Sequence, residues 1–317
     1  MSFSIRGTGM YVPGRVVTND ELSTLVETDD AWIRRRVGIG ERRIAETETT
    51  ADMAFEAAKA ALDNAGIDAA ALDLILAASV SADNVSPSVA CMVQSRLGAV
   101  CPAYDINAAC AAFLFLLETA AGYFARGKVK NVLIIGAERM SRIVDWSDRG
   151  TCVIFGDGAG AAVLGEGGGF EDSVVTVRGG DDVIRIPCAP GKSPFWQGEM
   201  PEPYIFMNGQ ETFKYAVNAI CADLHTLMAR NGLTPDDIAW IVPHQANYRI
   251  IESAAKRAGI PQEKFYMNIE RYGNTSSASI PMALDELSRA GKLQRGDRII
   301  LCAFGGGLAN AACLMVW

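Results

Sequence analysis

Two distant stretches of this chain repeat one pattern, and no other feature limits its possible folds so sharply. Residues 68–81 read DAAALDLILAASVS and residues 234–246 read TPDDIAWIVPHQA. Each runs from an acidic helix end through a buried strand to a polar tip. Aligned this way, Ser79 stands opposite His244. Cys110 follows Ser79 by 31 residues, in YDINAACAAF, and Asn274 follows His244 by 30, in YMNIERYGNTSSAS. Each unit then continues with a helix, a Gly and a basic segment. Each closes on a buried strand, NVLIIGAE in one half and RIILCAFGGG in the other. Two copies of one α/β unit packed about a pseudo-twofold axis bring equivalent strand ends together. Cys110, His244 and Asn274 are therefore expected to converge. The halves are expected to be residues 1–168 and 169–317, joined by GEGGGFEDS at 165–173.

Local patterns fill in the units. Apolar residues at helical spacing over 50–65, led by Thr49 and Thr50 and stopped by Gly66, predict a helix. LDLILAASVS and VKNVLIIGAE have the length and composition of buried strands. Phe213, Val217, Ile220, Leu224 and Leu227 give 209–230 a helical period. Residues 238–247 begin as a strand, and 248–258 form a helix ended by Gly259. Strands alternating with helices point to a layered α/β fold. The Pro- and Gly-rich 185–203 segment is expected to be an irregular loop.

Composition excludes several classes. Half of the 317 residues are hydrophobic, enough for a large core, and the formal net charge is −8. That charge opposes general nucleic-acid binding. The longest apolar run, Ala108 to Leu117, is too short to span a bilayer, and MSFSIRGTGMYVPG has no signal-peptide core. Eight cysteines without CxxC pairing and only two histidines argue against zinc and disulfides, so a reducing cytoplasm is the expected location.

Cys110 heads a nearly uniform apolar run, DINAACAAFLFLLE. A cysteine at a helix N-terminus is expected to favour the thiolate, which exchanges acyl groups with thioesters. His244 follows a strand, Asn274 lies in a Gly-led polar turn, and Gly305–Gly307 let the backbone aim an N–H at an oxyanion. Each residue also has a plain structural use. A cysteine fills cores, a histidine is satisfied on a helix face as for His225, three glycines make a turn, and an asparagine caps a helix. It is the matched placement of Cys110, His244 and Asn274 that points to chemistry.

The chain resembles the β-ketoacyl-acyl-carrier-protein synthase III family of the thiolase superfamily. The resemblance covers essentially its whole length. It is carried by AACAAF around Cys110, RGTCVIFGDGAGAAVL at 149–164, MNGQETFK at 207–214, VPHQANYRII at 242–251, GNTSSASIPMAL at 273–284 and AFGGG at 303–307. It implies a thiolase-like fold of two α/β halves forming a five-layered α/β/α/β/α core. It also implies a homodimer that condenses an acyl-CoA primer with malonyl-acyl-carrier protein (ACP) to start fatty-acid synthesis. The coenzyme A thioester is then a substrate, and neither metal nor redox cofactor is expected.

By position, Cys110 matches the acyl-accepting nucleophile. His244 and Asn274 match the pair that binds the malonyl thioester carbonyl. The N–H groups of Cys110 and Gly306 match the oxyanion hole. Trp32 and Arg149 match residues that sandwich the adenine of coenzyme A, with Arg36 and Gly150 beside them. Gly209, Phe213, Ala246 and Asn247 match the pantetheine tunnel. Lys214, Arg249, Lys256 and Arg257 match a basic patch where the acidic carrier protein docks. Three positions depart from the family. Ala111 stands where Gly is usual, Val37 where a Thr commonly contacts the adenine, and Ser86 where some members close the primer pocket with Phe across a dimer interface. Other condensing enzymes or acyltransferases of secondary-metabolite or biotin pathways would use the same three residues. A non-catalytic acyl- or ACP-binding subunit would not need them.

Overall fold

Alternate residues of the strand Leu74–Ala78 enter different cores, and this fixes the layering of the molecule. Leu74, Leu76 and Ala78 join one buried cluster, while Ile75 and Ala77 join another. The computed structural model describes residues 2–188, 193–199 and 201–317. In it, Ser2–Tyr11, Asp157–Gly167, Asn131–Arg139, Leu74–Ala78 and Ala103–Asp105 form one sheet, in that spatial order. A second sheet runs Phe170–Gly180, Gly307–Val316, Arg298–Gly305, Trp240–Pro243. Both sheets are antiparallel on the first side and parallel on the other. The Ile75↔Ala103 pairing at the end of the first sheet has a counterpart in a parallel bridge Ile241↔Phe265 in the second. Every strand of the first sheet lies before residue 168 and every strand of the second after 169.

Between the sheets lie the helices Ala112–Ala125 and Ser279–Arg289. This explains the apolar run after Cys110. Phe113, Leu114, Leu116 and Leu117 are all at most 1% exposed, because a helix between two sheets meets hydrocarbon on every side. Thr50–Ala65 and Val89–Leu97 cover the outer face of the first sheet, and Gly209–Arg230 and Tyr248–Ala258 that of the second. The five layers and the thiolase-like fold follow. The helix bounds agree with the sequence: Thr49 and Asp52 close a capping box, and Gly66 ends the helix at φ 64°.

Two expectations change. The segment 165–173 is not a free linker: strands run through Gly167 and resume at Phe170, leaving only two residues between the sheets. The repeat register also shifts. Short 3₁₀ turns, Ala109–Ala111 and Ser276–Ala278, precede the two central helices. Each opens on a non-glycine residue at φ 48°, Ala109 or Ser276. Each is preceded by an asparagine whose Oδ1 accepts from that residue's N–H, at 3.1 Å for Asn107 and 2.8 Å for Asn274. The structural counterpart of Cys110 is therefore Ser277, and that of Asn274 is Asn107. Counting from strand ends had hidden this, because the loops between differ in length. The 185–203 segment carries no long element in its described part and is flanked by the short paired strands Ile184–Arg185 and Phe206–Met207; residues 189–192 and 200 lie outside the described residues.

Candidate active site

Cys110, His244 and Asn274 open onto one cavity of about 1020 Å³, lined by residues of both sequence halves. Close backbone approach assembles it. A side chain at Gly305 would put its Cβ 2.7 Å from the Cys110 nitrogen, so only glycine lets the second sheet meet the Ala109–Ala111 turn here. At Gly136 a Cβ would lie 2.4 Å from the Ser277 carbonyl oxygen, so this glycine admits the 276–278 turn against the first sheet.

His244 leaves the end of the strand Trp240–Pro243 and is 2% exposed. Its Nδ1 lies 2.7 Å from the Ser279 hydroxyl, and its ring meets Phe304 edge-on at 5.5 Å. Ser279 Oγ also accepts from the Gln245 N–H at 3.4 Å. With the serine proton on Nδ1, Nε2 is the N–H donor. Burial drives the imidazole pKa down to about 3, so the ring is neutral. Asn274 is held similarly. Its Oδ1 accepts from Ser276 N–H, and its backbone N–H bonds to Ile154 O at 2.9 Å, so its Nδ2 remains available to donate.

Cys110 departs from expectation. It lies in the 3₁₀ turn just ahead of the Ala112–Ala125 helix rather than on that helix, is partly exposed, and lines the cavity. Burial pushes its thiol up to about 12; Ser276 opposes that shift and the Glu138 carboxyl adds to it. Desolvation outweighs any help from the helix end, and the resting group is a thiol.

Other sequence candidates fall into three groups. Trp32, Arg36, Arg149, Gly150, Gly209, Phe213, Ala246 and Asn247 all line the cavity. Arg149 stacks directly on Trp32 at 4.8 Å and donates to Glu27 O, so the two planes touch each other. Val37 lines the same wall, and Ala111 is fully buried beside Cys110. Lys214 and Arg249 border the cavity, with Lys214 paired to Glu211, whereas the exposed Lys256 and Arg257 lie farther along the Tyr248–Ala258 helix. Gly306 is the turn residue between the last two strands and is not in the cavity wall; Gly305 is. Ser86 is exposed and does not line the cavity of its own chain. Sequence reasoning missed Ser276, Ser279 and Glu138. The only available signal was the density of hydroxyls in NTSSAS. Among the described residues, no group of three metal-ligating side chains occurs and no helix is long and apolar enough to cross a membrane.

A thiol, a neutral imidazole and an asparagine amide line one cavity within a thiolase-like fold, an arrangement that fits a condensing enzyme. The profile described as 3-oxoacyl-[acyl-carrier-protein (ACP)] synthase III matches residues 104–181, and that for the C-terminal part of the same family matches 228–317. A β-ketoacyl-[acyl-carrier-protein] synthase III of Clostridium beijerinckii is 47% identical over 321 residues, covering 100% of this chain and 99% of the relative. One from Xanthomonas campestris is 44% identical over 315 residues, covering 98% and 97%. The crystal structure of 3-oxoacyl-[acyl-carrier-protein] synthase III from Aquifex aeolicus superimposes with a TM-score of 0.93 at 42% identity, covering all of both chains. The chain belongs to the β-ketoacyl-acyl-carrier-protein synthase III family and is an acyltransferase.

Proposed function

We propose that this enzyme transfers an acyl group from an acyl-CoA to Cys110, then condenses it with malonyl-ACP to give a 3-ketoacyl-ACP, the first step of fatty-acid synthesis. In the first half-reaction the sulfur attacks the thioester carbonyl and coenzyme A leaves. In the second, malonyl-ACP enters the same cavity and loses CO₂. His244 Nε2–H and Asn274 Nδ2–H hold the resulting enolate oxygen as neutral donors. The enolate carbon attacks the acyl-cysteine, and the N–H groups of Cys110 and of Gly306, which directly follows the wall residue Gly305, take the oxyanion. Loss of CO₂ drives the condensation. The coenzyme A thioester serves as substrate, and no resident cofactor takes part.

The observation that carries this reading is the pair of held acceptors. Ser279 occupies His244 Nδ1 and the Ser276 N–H occupies Asn274 Oδ1, and both residues line the cavity that Cys110 lines, which supports their remaining N–H groups as the donors. Neutral donors suit an enolate without the desolvation of a buried cation.

The remaining assignments belong to the same proposal. Trp32 and Arg149 take the adenine between them, which requires their stack to open, with Arg36 and Gly150 at the mouth. Gly209, Phe213, Ala246 and Asn247 line the pantetheine path. Lys214 and Arg249, extended by Lys256 and Arg257, attract the acidic carrier protein despite the net negative charge. The enzyme works in the cytoplasm, where its cysteines stay reduced, as two halves, 1–168 and 169–317. It works as a homodimer. Ala103–Asp105 is a sheet edge, and Val85 and Val100 are 90% and 96% exposed. Ser86 then reaches the primer pocket of the partner rather than its own.

The test is a panel of acyl-CoAs with malonyl-ACP, reading the 3-ketoacyl product by mass. Product that forms in wild type and vanishes in Cys110→Ser supports the reading, and an acyl adduct without condensation rejects it in favour of a simple acyltransferase.

A further inference from the structure

Arg42, on the strand Glu41–Ile44, is the largest side chain buried completely among the described residues. Its guanidinium is a fork between two acceptors. Nη1 donates to Asn19 Oδ1 at 2.8 Å and reaches Val17 O at 3.3 Å, while Nη2 donates to Val153 O at 2.9 Å. Nε has no partner. None of these acceptors is a carboxylate, and burial lowers the pKa only to about 10, so the group stays charged at neutral pH. A buried cation without a counter-charge is costly, and a Met of similar length would fill the space without that cost. The acceptors suggest what the charge is kept for. Val153 is a wall residue of the cavity, and the residues after it carry Asn274. The Asn274 N–H donates to Ile154 O at 2.9 Å and its C=O accepts from the Gly156 N–H at 3.1 Å, the two bonds of a parallel bridge between Phe155 and Asn274. The stem of Arg42 lies against both chains of that bridge: an added Cβ would stand 3.1 Å from Arg42 Cβ at Gly156 and 3.5 Å from it at Gly273. At the other end, Asn19 is fixed by donating to Asp30 Oδ1 at 2.9 Å and Ile39 O at 2.8 Å.

We propose that Arg42 is a positioning residue for Asn274: its fork fixes the 153–156 segment on which Asn274 hangs, and so sets the place of the Asn274 amide in the cavity. This rests on the reading of Asn274 as a donor to the enolate oxygen. Both main-chain hydrogen-bonding groups of Asn274 go to that segment, so a shift of residues 153–156 carries the donor with it. The bond from Ser276 N–H to Asn274 Oδ1 fixes the rotation of the amide but not the place of its backbone. A donor that has drifted stabilises the enolate less, because hydrogen bonds weaken steeply with distance and misalignment. A planar fork ties Val153 O to Asn19 through one rigid group, which a thioether or an ammonium does not do. Cys110 sits in a different turn, Ala109–Ala111, and His244 is held by Ser279, so neither depends on the Arg42 fork.

The experiment measures malonyl-thioester decarboxylation and the rate of Cys110 acylation by acyl-CoA in the full-length enzyme. It compares wild type, Arg42→Met and Arg42→Lys, each with and without Asn274→Ala. Met keeps the bulk and Lys keeps the charge, so at least one variant is expected to fold, and either decides the question. Each should lower kcat for decarboxylation about tenfold or more, with KM and the acylation rate within about threefold of wild type. In the Asn274→Ala background the same substitutions should cost less than about threefold, because the donor they position is already gone. A decarboxylation rate within about threefold of wild type in a folded variant overturns the proposal. So does equal loss in both half-reactions, or an undiminished loss when Asn274 is absent. If Asn274→Ala alone leaves decarboxylation unchanged, the reading of Asn274 as the enolate donor falls instead, so the two failures are distinguishable.

Discussion

At the scale of single residues, the site depends on which form each group holds at rest. Cys110→Ser is expected to abolish condensation, because a hydroxyl is far less nucleophilic than a thiolate. His244→Ala and Asn274→Ala should slow malonyl decarboxylation about 10²–10³-fold and acylation much less, each having lost one donor to the enolate. Radiolabelled CO₂ release against acyl-adduct formation separates the two. His244 also links site to stability. Its pKa falls to about 3 on folding, below the ordinary histidine value, so the unfolded chain binds the extra proton. Its contribution to stability is full above the unfolded pKa and is lost as pH falls from there toward about 3. Between about pH 7 and pH 4, wild-type Tm should therefore drop further than that of His244→Gln, as melting curves at both values would show. The residue types were legible in the sequence; their protonation states were not. A motif shows that Cys110 heads an apolar run, but only packing shows that it sits in a turn ahead of the helix and that burial outweighs the helix end.

At the scale of elements, most boundaries were readable because caps are local. Thr49, Gly66 and Gly259 ended helices where they stand in the sequence. The repeat register was not, because it is carried by backbone conformation. Ala109 and Ser276 share a positive φ that neither side chain advertises. For Ala109 that conformation costs about 1–2 kcal/mol, while glycine's extra unfolded-state freedom costs about 0.5–1. Ala109→Gly is thus expected to raise stability by about 0.5 kcal/mol in denaturant titration, and a loss would mean that the alanine methyl packs against something needed. The Tyr248–Ala258 helix carries Arg249, Lys256 and Arg257, three of the charges proposed for docking. Arg249→Glu should raise KM for malonyl-ACP far more than for malonyl-pantetheine, with the difference shrinking in high salt. An equal rise for both would make Arg249 part of the pantetheine path only.

At the scale of the whole molecule, the layered fold was implied by alternating strands and helices, but the surface proposed to meet a second copy carries no periodic signal. Ser86 illustrates this, being exposed and outside its own cavity. If it reaches a partner's primer pocket, the loss of a bulky Phe leaves space, and each buried methylene contributes about 0.8 kcal/mol. Medium-chain or branched acyl-CoA should be accepted beside acetyl-CoA, with Ser86→Phe shifting preference toward acetyl-CoA in a competition assay. The central claim, that Cys110 takes an acyl group and passes it to a malonyl-derived enolate in one cavity, is tested most directly by mass spectrometry. Acyl-CoA alone should add one acyl group, mapped to the Cys110 peptide, and malonyl-ACP should then discharge it as 3-ketoacyl-ACP with release of CO₂. An adduct on another cysteine, or one that malonyl-ACP leaves in place, would contradict it.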